Sequence, residues 1–430
     1  MSKAWNTLPL GAIASVAVSG VNKHILAGET PVRLCNYLDV YRNRRLTKSH
    51  EFSAGSATPS EVERFQVCKG DVIITKDSET PDDIAVPALI VDDVAETVCG
   101  YHLALIRPSD RLHSGFLSYL FQSETAKRYF LRTATGLTRF GLSVRAIESF
   151  PIPLPSTTEQ AAIARVLDGV DTSLERTREA IARAQELRIS LIAELLTQGV
   201  SADGAVRNPK HSTTQFAKTP LGQLPAAWTL SRVGQQFTIQ NGFTINEAQQ
   251  THLPKRRYLR VANVQRDALK LDDIQELKAG DEDYAPRVLQ TDDLLVVEGH
   301  ADRMQIGRCA RVTPEAAGMT FQNHLFRLRT NGNVSSAFAC LWLNSAYALR
   351  YWNACCATSS GLNTINQRML KRLVTPVPPK PEQERITTIV AQQRKHLEAL
   401  LAKQQCLEQL KKSLMHDLLT GHVRVPANTR

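Results

Sequence analysis

Three carboxylates in the second half of the chain are the clearest candidates for metal-assisted chemistry. Asp292, Asp293 and Glu298 lie close together in the sequence, and hydrolytic enzymes use clustered carboxylates to hold divalent metal ions. A nuclease site of this kind is expected to carry a lysine two residues after the glutamate, but that position is His300. The spacing therefore favours a turn aspartate that opens a buried strand over a nuclease site.

Other catalytic patterns are missing from the sequence. No segment reads GxxxxGK[ST], the loop that cradles nucleotide phosphates. Neither a glycine-rich turn after a strand nor an Asn-Pro-Pro-aromatic motif for methyl transfer is present. His102 and His324 each precede an apolar run, and we interpret both as structural histidines. The sequence therefore predicts no catalytic residue, no bound metal and no cofactor in this chain.

Composition narrows the class of protein. The eight cysteines form no CxxC pair, which supports neither a zinc site nor a disulfide framework and indicates a reducing cytoplasm. Lys and Arg outnumber Asp and Glu by 52 to 42, giving a net charge of +10. Such an excess favours a polyanionic partner, with nucleic acid the leading candidate. No apolar stretch reaches the roughly 18 residues of a membrane span, so no membrane partner is expected.

Basic and amide side chains cluster around residues 42–48 and 139–145, and again around 255–260 and 363–368. Arginine can bond guanine edges, asparagine and glutamine can bond adenine, and lysine mainly neutralises phosphate. These clusters are therefore candidates for DNA contacts. The predicted DNA-binding residues are Arg42, Asn43, Arg44, Arg45, Lys48, Arg139, Arg145, Lys255, Arg256, Arg257, Arg260, Asn363, Asn366, Gln367 and Arg368.

The chain is a tandem repeat, because sliding the sequence about 223 positions along itself superposes similar residues in the same order. Trp5 falls on Trp228, and Gln160 falls on Gln383. A period this long indicates a duplicated domain rather than a solenoid, whose units span roughly 20–50 residues. The protein is therefore expected to be a pseudo-dimer on one chain, and its target is expected to have two halves.

Each copy opens with short runs rich in β-branched residues, such as Val72–Thr75 and Leu294–Val297, which are typical of strands. An amphipathic helical patch follows in each copy, over residues 116–131 and 337–351. The pattern predicts two mixed α/β (α+β) globular domains in tandem. Each ends at a proline-rich elbow, where missing N–H donors and fixed φ angles are expected to stop any sheet or helix.

A long helix is predicted after each elbow, because aliphatic residues recur there at alternating spacings of three and four, as in a coiled coil. A helix over residues 158–198 would be roughly 60 Å long, more than one domain of this size covers. We therefore expect the two helices to pair antiparallel, the alternative being that each packs only on its own domain. The predicted helix-pairing residues are Ile163, Leu167, Val170, Leu174, Ile181, Leu191, Leu195, Ile386, Val390, Leu397, Leu400, Leu407, Leu414 and Leu418.

The domain organisation follows from the repeat, the elbows and a polar, basic segment between the copies that is typical of a linker. The predicted segments are a first globular domain over 1–150, a central helical spacer over 151–198, a linker over 199–223, a second globular domain over 224–373, a C-terminal helical spacer over 374–421 and a tail over 422–430.

At this level of detail the sequence resembles the specificity (S) subunits of type I restriction-modification systems. The resemblance is carried by the elbow and helix starts at 150–160 and 377–383, the helix endings at 191–197 and 414–421, and the re-entry segment at 218–228. No single string is specific, but their ordered combination is. It covers essentially the whole chain.

The resemblance implies two target recognition domains, 1–150 and 224–373, each reading one half of a bipartite sequence in double-stranded DNA. It also implies that the helical region docks two methyltransferase (M) subunits and that restriction and motor (R) subunits join the complex. The DNA-binding residues named above rest on side-chain chemistry alone and are not carried over from the family.

Two other classes of function stay open. One is an autonomous nuclease or methyltransferase with a divergent site, which activity of the isolated chain with metal or methyl donor would support. The other is a coiled-coil scaffold that organises protein partners without DNA. Binding to duplex DNA that weakens steeply with salt separates a DNA reader from such a scaffold, because phosphate contacts release counterions.

Overall fold

The computed structural model describes residues 5–210, 215–244, 253–359 and 361–426. The chain divides into two compact units, which we call unit 1 (Met1–Glu179 with Leu401–Arg430) and unit 2 (Ala180–Leu400). The two boundaries between the units, at 179/180 and 400/401, lie inside the two long helices. Each unit therefore contains one globular α/β part and about half of each long helix.

Unit 1 begins with a globular part of short strands and helices and continues into the first long helix. Its strands are β1 Asn6–Pro9, β2 Ala14–Val18, β3 Thr30–Cys35, β4 Arg45–Leu46, β5 Ser53–Ala57, β6 Val72–Thr75, β7 Asp77–Ser78, β8 Pro87–Ile90, β9 Thr97–Cys99, β10 Leu103–Pro108, β11 Phe140–Gly141 and β12 Pro151–Leu154. Its helices are α1 Tyr37–Arg42, α2 Pro59–Phe65, α3 Ser114–Gln122, α4 Glu124–Thr133, α5 Val144–Glu148 and the start of α6, Thr157–Gln198.

Unit 2 repeats this plan. Its strands are β13 Phe216–Thr219, β14 Gly222–Pro225, β15 Thr229–Arg232, β16 Phe237–Asn241, β17 Lys255–Leu259, β18 Val264–Gln265, β19 Ala268–Leu269, β20 Gln275–Lys278, β21 Leu294–Val297, β22 Gly299–His300, β23 Cys309–Arg311, β24 Thr320–Phe321, β25 Leu325–Thr330, β26 Ala357–Ser359, β27 Leu362–Thr364 and β28 Val374–Val377. Its helices are α7 Val233–Gln236, α8 Asp281–Tyr284, α9 Ser336–Leu343, α10 Ala346–Cys355, α11 Gln367–Arg372 and the start of α12, Lys380–Thr420.

The central sheets of the two units share the order of four strands, to which unit 1 adds a fifth, β4. In unit 1 the order is β2-β10-β6-β8-β4, and in unit 2 it is β16-β25-β21-β23. The strands β6 and β21 are buried along their whole length, as expected for strands that are covered on both faces. A second three-stranded sheet is also shared, with order β5-β3-β9 in unit 1 and β20-β17-β24 in unit 2. The duplication seen in the sequence is therefore a duplication of fold.

Each predicted helical patch is two helices rather than one. In unit 1, Ser123 separates α3 from α4 and its hydroxyl accepts from the N–H of Ala126 at 3.2 Å. In unit 2, Ser345 separates α9 from α10 and accepts from Ala348 at 3.3 Å. A serine that caps a new helix satisfies an orphan N–H and so turns the chain. The apolar periodicity continues across this turn, which is why the sequence suggested one helix.

The prediction that the proline-rich elbows carry no strand is wrong. The strand β12 pairs antiparallel with β1, and β28 pairs in the same way with β15. Both are two-stranded ribbons, in which a proline can face away from the partner strand, and its fixed φ is compatible with extended backbone. Each elbow therefore fastens the end of a globular part to a strand near its beginning, β1 or β15.

Within unit 1, the first half of α6 packs against the last half of α12 in opposite directions. Asp171 pairs with Lys411 at 2.9 Å, while Arg178, further along α6, pairs with Glu408, which comes earlier in α12, at 3.1 Å. The apolar cluster of the unit joins the two helices through Ile163, Leu167, Leu418 and Leu419.

Within unit 2, the last half of α6 packs against the first half of α12. Leu195 and Leu196 share one apolar cluster with Ile386 and Val390. The end of one helix therefore lies beside the start of the other. In both units the helices pair antiparallel, as the sequence predicted.

The predicted helix-pairing residues all lie on the covered sides of the helices. In α6 the buried members are Ile163, Leu167, Leu174, Ile181 and Leu195, and the half-buried ones are Val170 and Leu191. In α12 the buried members are Ile386, Val390 and Leu418, and the half-buried ones are Leu397, Leu400, Leu407 and Leu414. No helix of the described ranges is long and apolar enough to cross a membrane.

The predicted linker at 199–223 contains local structure. Val200 is fully buried and bridges to Val206, and the strands β13 and β14 form a hairpin that extends past the end of the segment. The predicted tail at 422–430 is described only as far as residue 426, so its last four residues lie outside the described ranges.

Candidate nucleic-acid interface

The carboxylates that first suggested metal chemistry are each held by a different basic side chain. Asp293 is 2% exposed and accepts two hydrogen bonds from Arg329, at 2.6 and 2.7 Å. Asp292 pairs with Arg311 at 3.1 Å, and Glu298 lies 3.6 Å from His324. Among the described residues these three carboxylates form no shared group of possible metal ligands.

The buried aspartate–arginine pair occurs in both units. In unit 1, Asp71 accepts from Arg107 at 2.8 and 2.9 Å and also from the backbone N–H of Cys68. Asp293 likewise accepts from the N–H of Gln290. Each aspartate therefore closes the turn that opens β6 or β21, and its arginine comes from the neighbouring strand. The role of these groups is to fix the turn and the sheet.

The two equivalent histidines make the same backbone contact. The carbonyl of His102 accepts from the N–H of Lys76, and that of His324 accepts from the N–H of Glu298. Their rings differ in partner, because His102 Nδ1 lies 2.9 Å from Asp77. Burial raises the pKa of Glu298, an effect that His324 only partly offsets. For Asp77 burial also acts upward, but Lys76 and His102 outweigh it and lower the pKa.

The basic run at 42–48 is divided between a helix and the solvent. Arg44 pairs with Asp171 of α6 at 2.5 Å and lies over the ring of Tyr119, and Arg45 pairs with Asp168. Burial would lower the pKa of Arg44, but Asp171 outweighs it and raises that pKa. The Asn43 amide is also occupied, since it donates to the carbonyl of Asp39. These three side chains therefore fasten the globular part of unit 1 internally.

The basic strand β17 in unit 2 is divided in a similar way. Arg256 pairs with Asp281 and lies 4.2 Å from the ring centre of Tyr284, and Arg260 pairs with Asp273 at 2.6 Å. Lys255 and Arg257 are exposed and lie on one face, since side chains alternate along a strand. Lys255 contacts Glu276 at 3.0 Å on the adjacent strand.

The predicted residues before the second elbow are largely structural. Asn363 is buried, and its amide donates to Ala301 at 2.9 Å and accepts from Arg303 at 3.1 Å. Asn366 caps α11, and Gln367 donates to the carbonyl of Ile239.

Before the first elbow, Arg139 is exposed, and its one side-chain ion pair within the described ranges is a 4.0 Å contact with Glu79.

Five predicted DNA-binding residues remain exposed with side chains that form no hydrogen bond or ion pair to any other part of the described chain. They are Arg42, Lys48, Arg145, Arg257 and Arg368. Exposed cations of this kind can reach phosphate without breaking an internal contact. The structure thus reduces the candidates to these five, together with Arg139 and Lys255, whose only partners are exposed carboxylates.

A polar cavity in unit 1 was not predicted from the sequence. It has a volume of about 360 Å³ and lies beside β7 and β11, with Tyr37, Asp77, Asp83, His102 and Arg139 among its lining residues. Carboxylates can accept from exocyclic amino groups of cytosine or adenine, and aromatic rings can stack on bases. The lining residues come from segments far apart in sequence. His102, which the repeat places opposite His324, was the one lining residue that the repeat singled out.

The glutamines at the start of the two long helices have a structural role. The sequence showed only that they occupy equivalent positions in the two copies. Gln160 is fully buried, donates to the carbonyls of Arg111 and Pro155 and accepts from the N–H of His113. Gln383 makes the same three bonds to Asn333, Pro378 and Ser335. Each helix is therefore fixed in direction by a glutamine that bonds the loop before α3 or α9.

Comparison with known proteins finds sequence similarity to type I specificity subunits over part of the chain. Residues 39–183 match the family "Type I restriction modification DNA specificity domain". The chain is 24% identical over 296 residues to the type I restriction enzyme StySPI specificity subunit of Salmonella potsdam. That match covers 68% of this chain and 61% of the relative, so the chain spans about three-fifths of that relative's length.

Solved structures agree at the level of fold. The S subunit of a type I restriction-modification system from M. genitalium is similar with a TM-score of 0.53, at 14% identity over 97% of both chains. A structure from work on complex assembly and conformational transition of the type I system has a TM-score of 0.54, at 16% identity over 98% of both chains. The duplicated α/β units and the antiparallel helices agree with these matches: residues 39–183 match the type I DNA specificity domain, and the fold is similar to that of type I S subunits.

Proposed function

We propose that this chain is the DNA-recognition subunit of a type I restriction-modification complex and that each unit reads one half of a bipartite duplex target. The observation that carries the proposal is the duplication of one α/β unit, combined with the match of residues 39–183 to a DNA specificity domain. In this proposal the readers are residues 1–150 and 224–373. The chain binds DNA and leaves methyl transfer and cleavage to other subunits.

The exposed cations support a DNA-facing role in both units. Arg42, Lys48 and Arg145 belong to the first reader, and Arg257 and Arg368 belong to the second. We assign them to phosphate or base-edge contacts, because their side chains are exposed and, within the described residues, unoccupied. The polar cavity beside β7 adds acceptors that could select an amino-bearing base.

Two methyltransferase subunits are the proposed partners of the helices, with restriction subunits joining them and the cytoplasm as the place of action. A groove of about 600 Å³ in unit 1 supports a docking role, since it lies between the helix pair and α4. Its lining combines the apolar side chains of Leu120, Phe150, Leu174, Met415 and Leu419 with Arg128, Lys412 and the Arg178–Glu408 pair. We propose that such a surface takes a largely apolar segment that also carries acidic residues.

Binding to duplex DNA tests the proposal. The full chain, with and without methyltransferase subunits, is titrated against a pool of random duplexes at two salt concentrations, and the bound duplexes are sequenced. We expect affinity to fall steeply with salt, because each neutralised phosphate contributes a slope of about 0.9. The selected sequences should show two short blocks at a fixed separation. Salt-independent binding, or a single block, would contradict the proposal.

A further inference from the structure

The end of α12 brings three possible metal ligands together. Gly421 has a φ of +75° and ends the helix, so the chain folds back and Val423 N–H donates to the carbonyl of Asp417 at 3.1 Å. This turn places the ring of His422 beside that of His416, with 5.4 Å between their centroids. One ligand atom each from His416, Asp417 and His422 lies within 4.8 Å of the other two.

The chemistry of these ligands selects a class of metal ion. Two imidazoles and one carboxylate suit Zn²⁺, Ni²⁺, Co²⁺ or Cu²⁺, whereas Mg²⁺ and Ca²⁺ prefer oxygen ligands alone. Both histidines are exposed and Asp417 is half-buried, so an ion can enter from solvent and keep water in its remaining positions. The carbonyl end of a helix also carries partial negative charge, which favours a cation at this place.

A hydrogen bond already orients one of the imidazoles. Thr420 Oγ1 lies 2.5 Å from the carbonyl oxygen of His416, which can only accept, so the hydroxyl hydrogen points there. His422 Nδ1 lies 2.8 Å from the same hydroxyl and must therefore be the donor. His422 Nε2 then keeps its lone pair. Metal-bound histidines generally donate their second ring N–H in this way.

The other copy of the repeat shows that the fold does not require this cluster. At the end of α6, Gly199 occupies the place of Gly421 and has a similar φ of +66°. Counted from this glycine, the positions equivalent to the three ligands are Glu194, Leu195 and Val200, and Leu195 and Val200 are fully buried. The first copy therefore ends its helix at a glycine of positive φ with no histidine at these three positions. The two histidines occur only in the second copy. They lie six residues apart on either side of a turn, a spacing that sequence patterns for metal sites do not include.

We propose that His416, Asp417 and His422 bind one divalent transition-metal ion of the Zn²⁺ class, which joins the segment after α12 to the helix end. That segment carries Arg424, which pairs with the buried Glu159 at the start of α6 and lies over the ring of Trp5. An ion that holds His422 thus stabilises these contacts. Because it binds the folded chain alone, it raises stability according to its concentration relative to Kd.

Calorimetric titration of the metal-stripped full chain with ZnCl₂ and NiCl₂ tests the site, with MgCl₂ as a control ion. We expect one Zn²⁺ or Ni²⁺ per chain and a higher Tm, with no response to Mg²⁺. His416→Ala and His422→Ala should each weaken binding at least about tenfold, and Thr420→Val should weaken it by about tenfold as an orienting residue. Thr420→Ser, which keeps the hydroxyl, and His396→Ala, an exposed histidine elsewhere on α12, should bind as the parent chain does.

The metal-free Tm of each variant shows whether its fold is intact, and Asp417→Asn serves where an alanine variant fails to fold. The proposal is overturned if the parent chain takes up no stoichiometric Zn²⁺ or Ni²⁺. It is equally overturned if folded His416→Ala and His422→Ala variants bind as tightly as the parent chain.

Discussion

The two units share an internal framework, and one small sheet shows how their chemistry differs. In unit 1, Asp77 on β7 lies opposite Gly141 on β11, and its carboxylate occupies the space that a side chain at Gly141 would need. In unit 2, Gly299 lies opposite Thr364, whose methyl group fills the equivalent space. The large and small residues have exchanged strands. The polar cavity beside β7 in unit 1 is formed partly by Asp77.

Under the proposed function, this difference separates the residues that hold the fold from those that read DNA. The pairs Asp71–Arg107 and Asp293–Arg329 and the contacts of Gln160 and Gln383 are the same in both units. A reader of two different half-sites needs one scaffold and two chemically distinct surfaces. The shared contacts should therefore control stability equally in both units, and the small sheet should control which bases are read.

The largest expected effect is the loss of a shared ion pair. Asp71→Asn and Asp293→Asn should each lower the free energy of unfolding by about 2–3 kcal/mol, because the buried carboxylate loses its charge-assisted hydrogen bonds from an arginine that is itself partly exposed. Urea unfolding of the full chain measures both. Asp292→Asn is the matched control, since its pair with Arg311 is exposed and worth less than about 1 kcal/mol. A large effect in only one unit would break the equivalence.

A smaller and again equal effect is expected at the helix starts. Gln160→Leu and Gln383→Leu each leave buried backbone groups without partners, which should cost about 2 kcal/mol. Thermal unfolding compares the two variants. Gln122→Leu is a suitable control, because that half-buried amide bonds only within its own helix. If the Gln383 variant alone is destabilised, the two helix starts do not have the same role.

Acid should distinguish the units, because Asp171 has no acidic counterpart in unit 2, where Arg394 stands. Burial would raise the pKa of Asp171, but Arg44, Lys411 and Tyr119 outweigh it and lower that pKa. A lowered folded-state pKa adds stability that is present above the unfolded value near 3.8 and lost as pH falls through the folded value. Asp171→Asn should cost about 1–2 kcal/mol at neutral pH and flatten this acid-dependent loss. A variant with an unchanged acid profile would contradict the assignment.

The smallest effects are expected for single exposed cations. Arg42→Ala in unit 1 and Arg257→Ala in unit 2 should each reduce the salt dependence of DNA binding by about one unit of slope. Arg45→Ala is the control, because its guanidinium pairs with Asp168 on α6. Fluorescence anisotropy over a series of salt concentrations gives the slopes. If Arg45→Ala changes the slope and Arg42→Ala does not, the DNA-facing side of unit 1 has been misassigned.

The sequence predicted the repeat, the buried strands and the antiparallel helices. Apolar spacing shows the strands and helices, and comparison of the chain with itself shows the repeat. Val72–Thr75 and Leu294–Val297 are strands as expected. It did not predict β12 and β28, since proline normally weakens a strand and the pairing partner lies at the far end of the domain.

The candidate site was less accessible to sequence reasoning. Arg44 and Arg45 look like DNA ligands in sequence, yet their partners Asp171 and Asp168 lie more than a hundred residues away. The cavity beside β7 joins Tyr37, Asp83 and Arg139 in the same non-local way. The sequence shows where basic side chains are concentrated. Which of them form internal ion pairs depends on contacts between residues far apart in sequence.

Exchange of one reader tests the central claim most directly. Residues 1–150 are replaced by the equivalent part of a relative with a different target, and the chimera is combined with methyltransferase subunits. Methylated adenines are then mapped on DNA of known sequence. Two independent readers predict that one half of the target changes while the other half and the spacing stay. A chimera that is folded and active but alters both halves, or neither, would contradict the account.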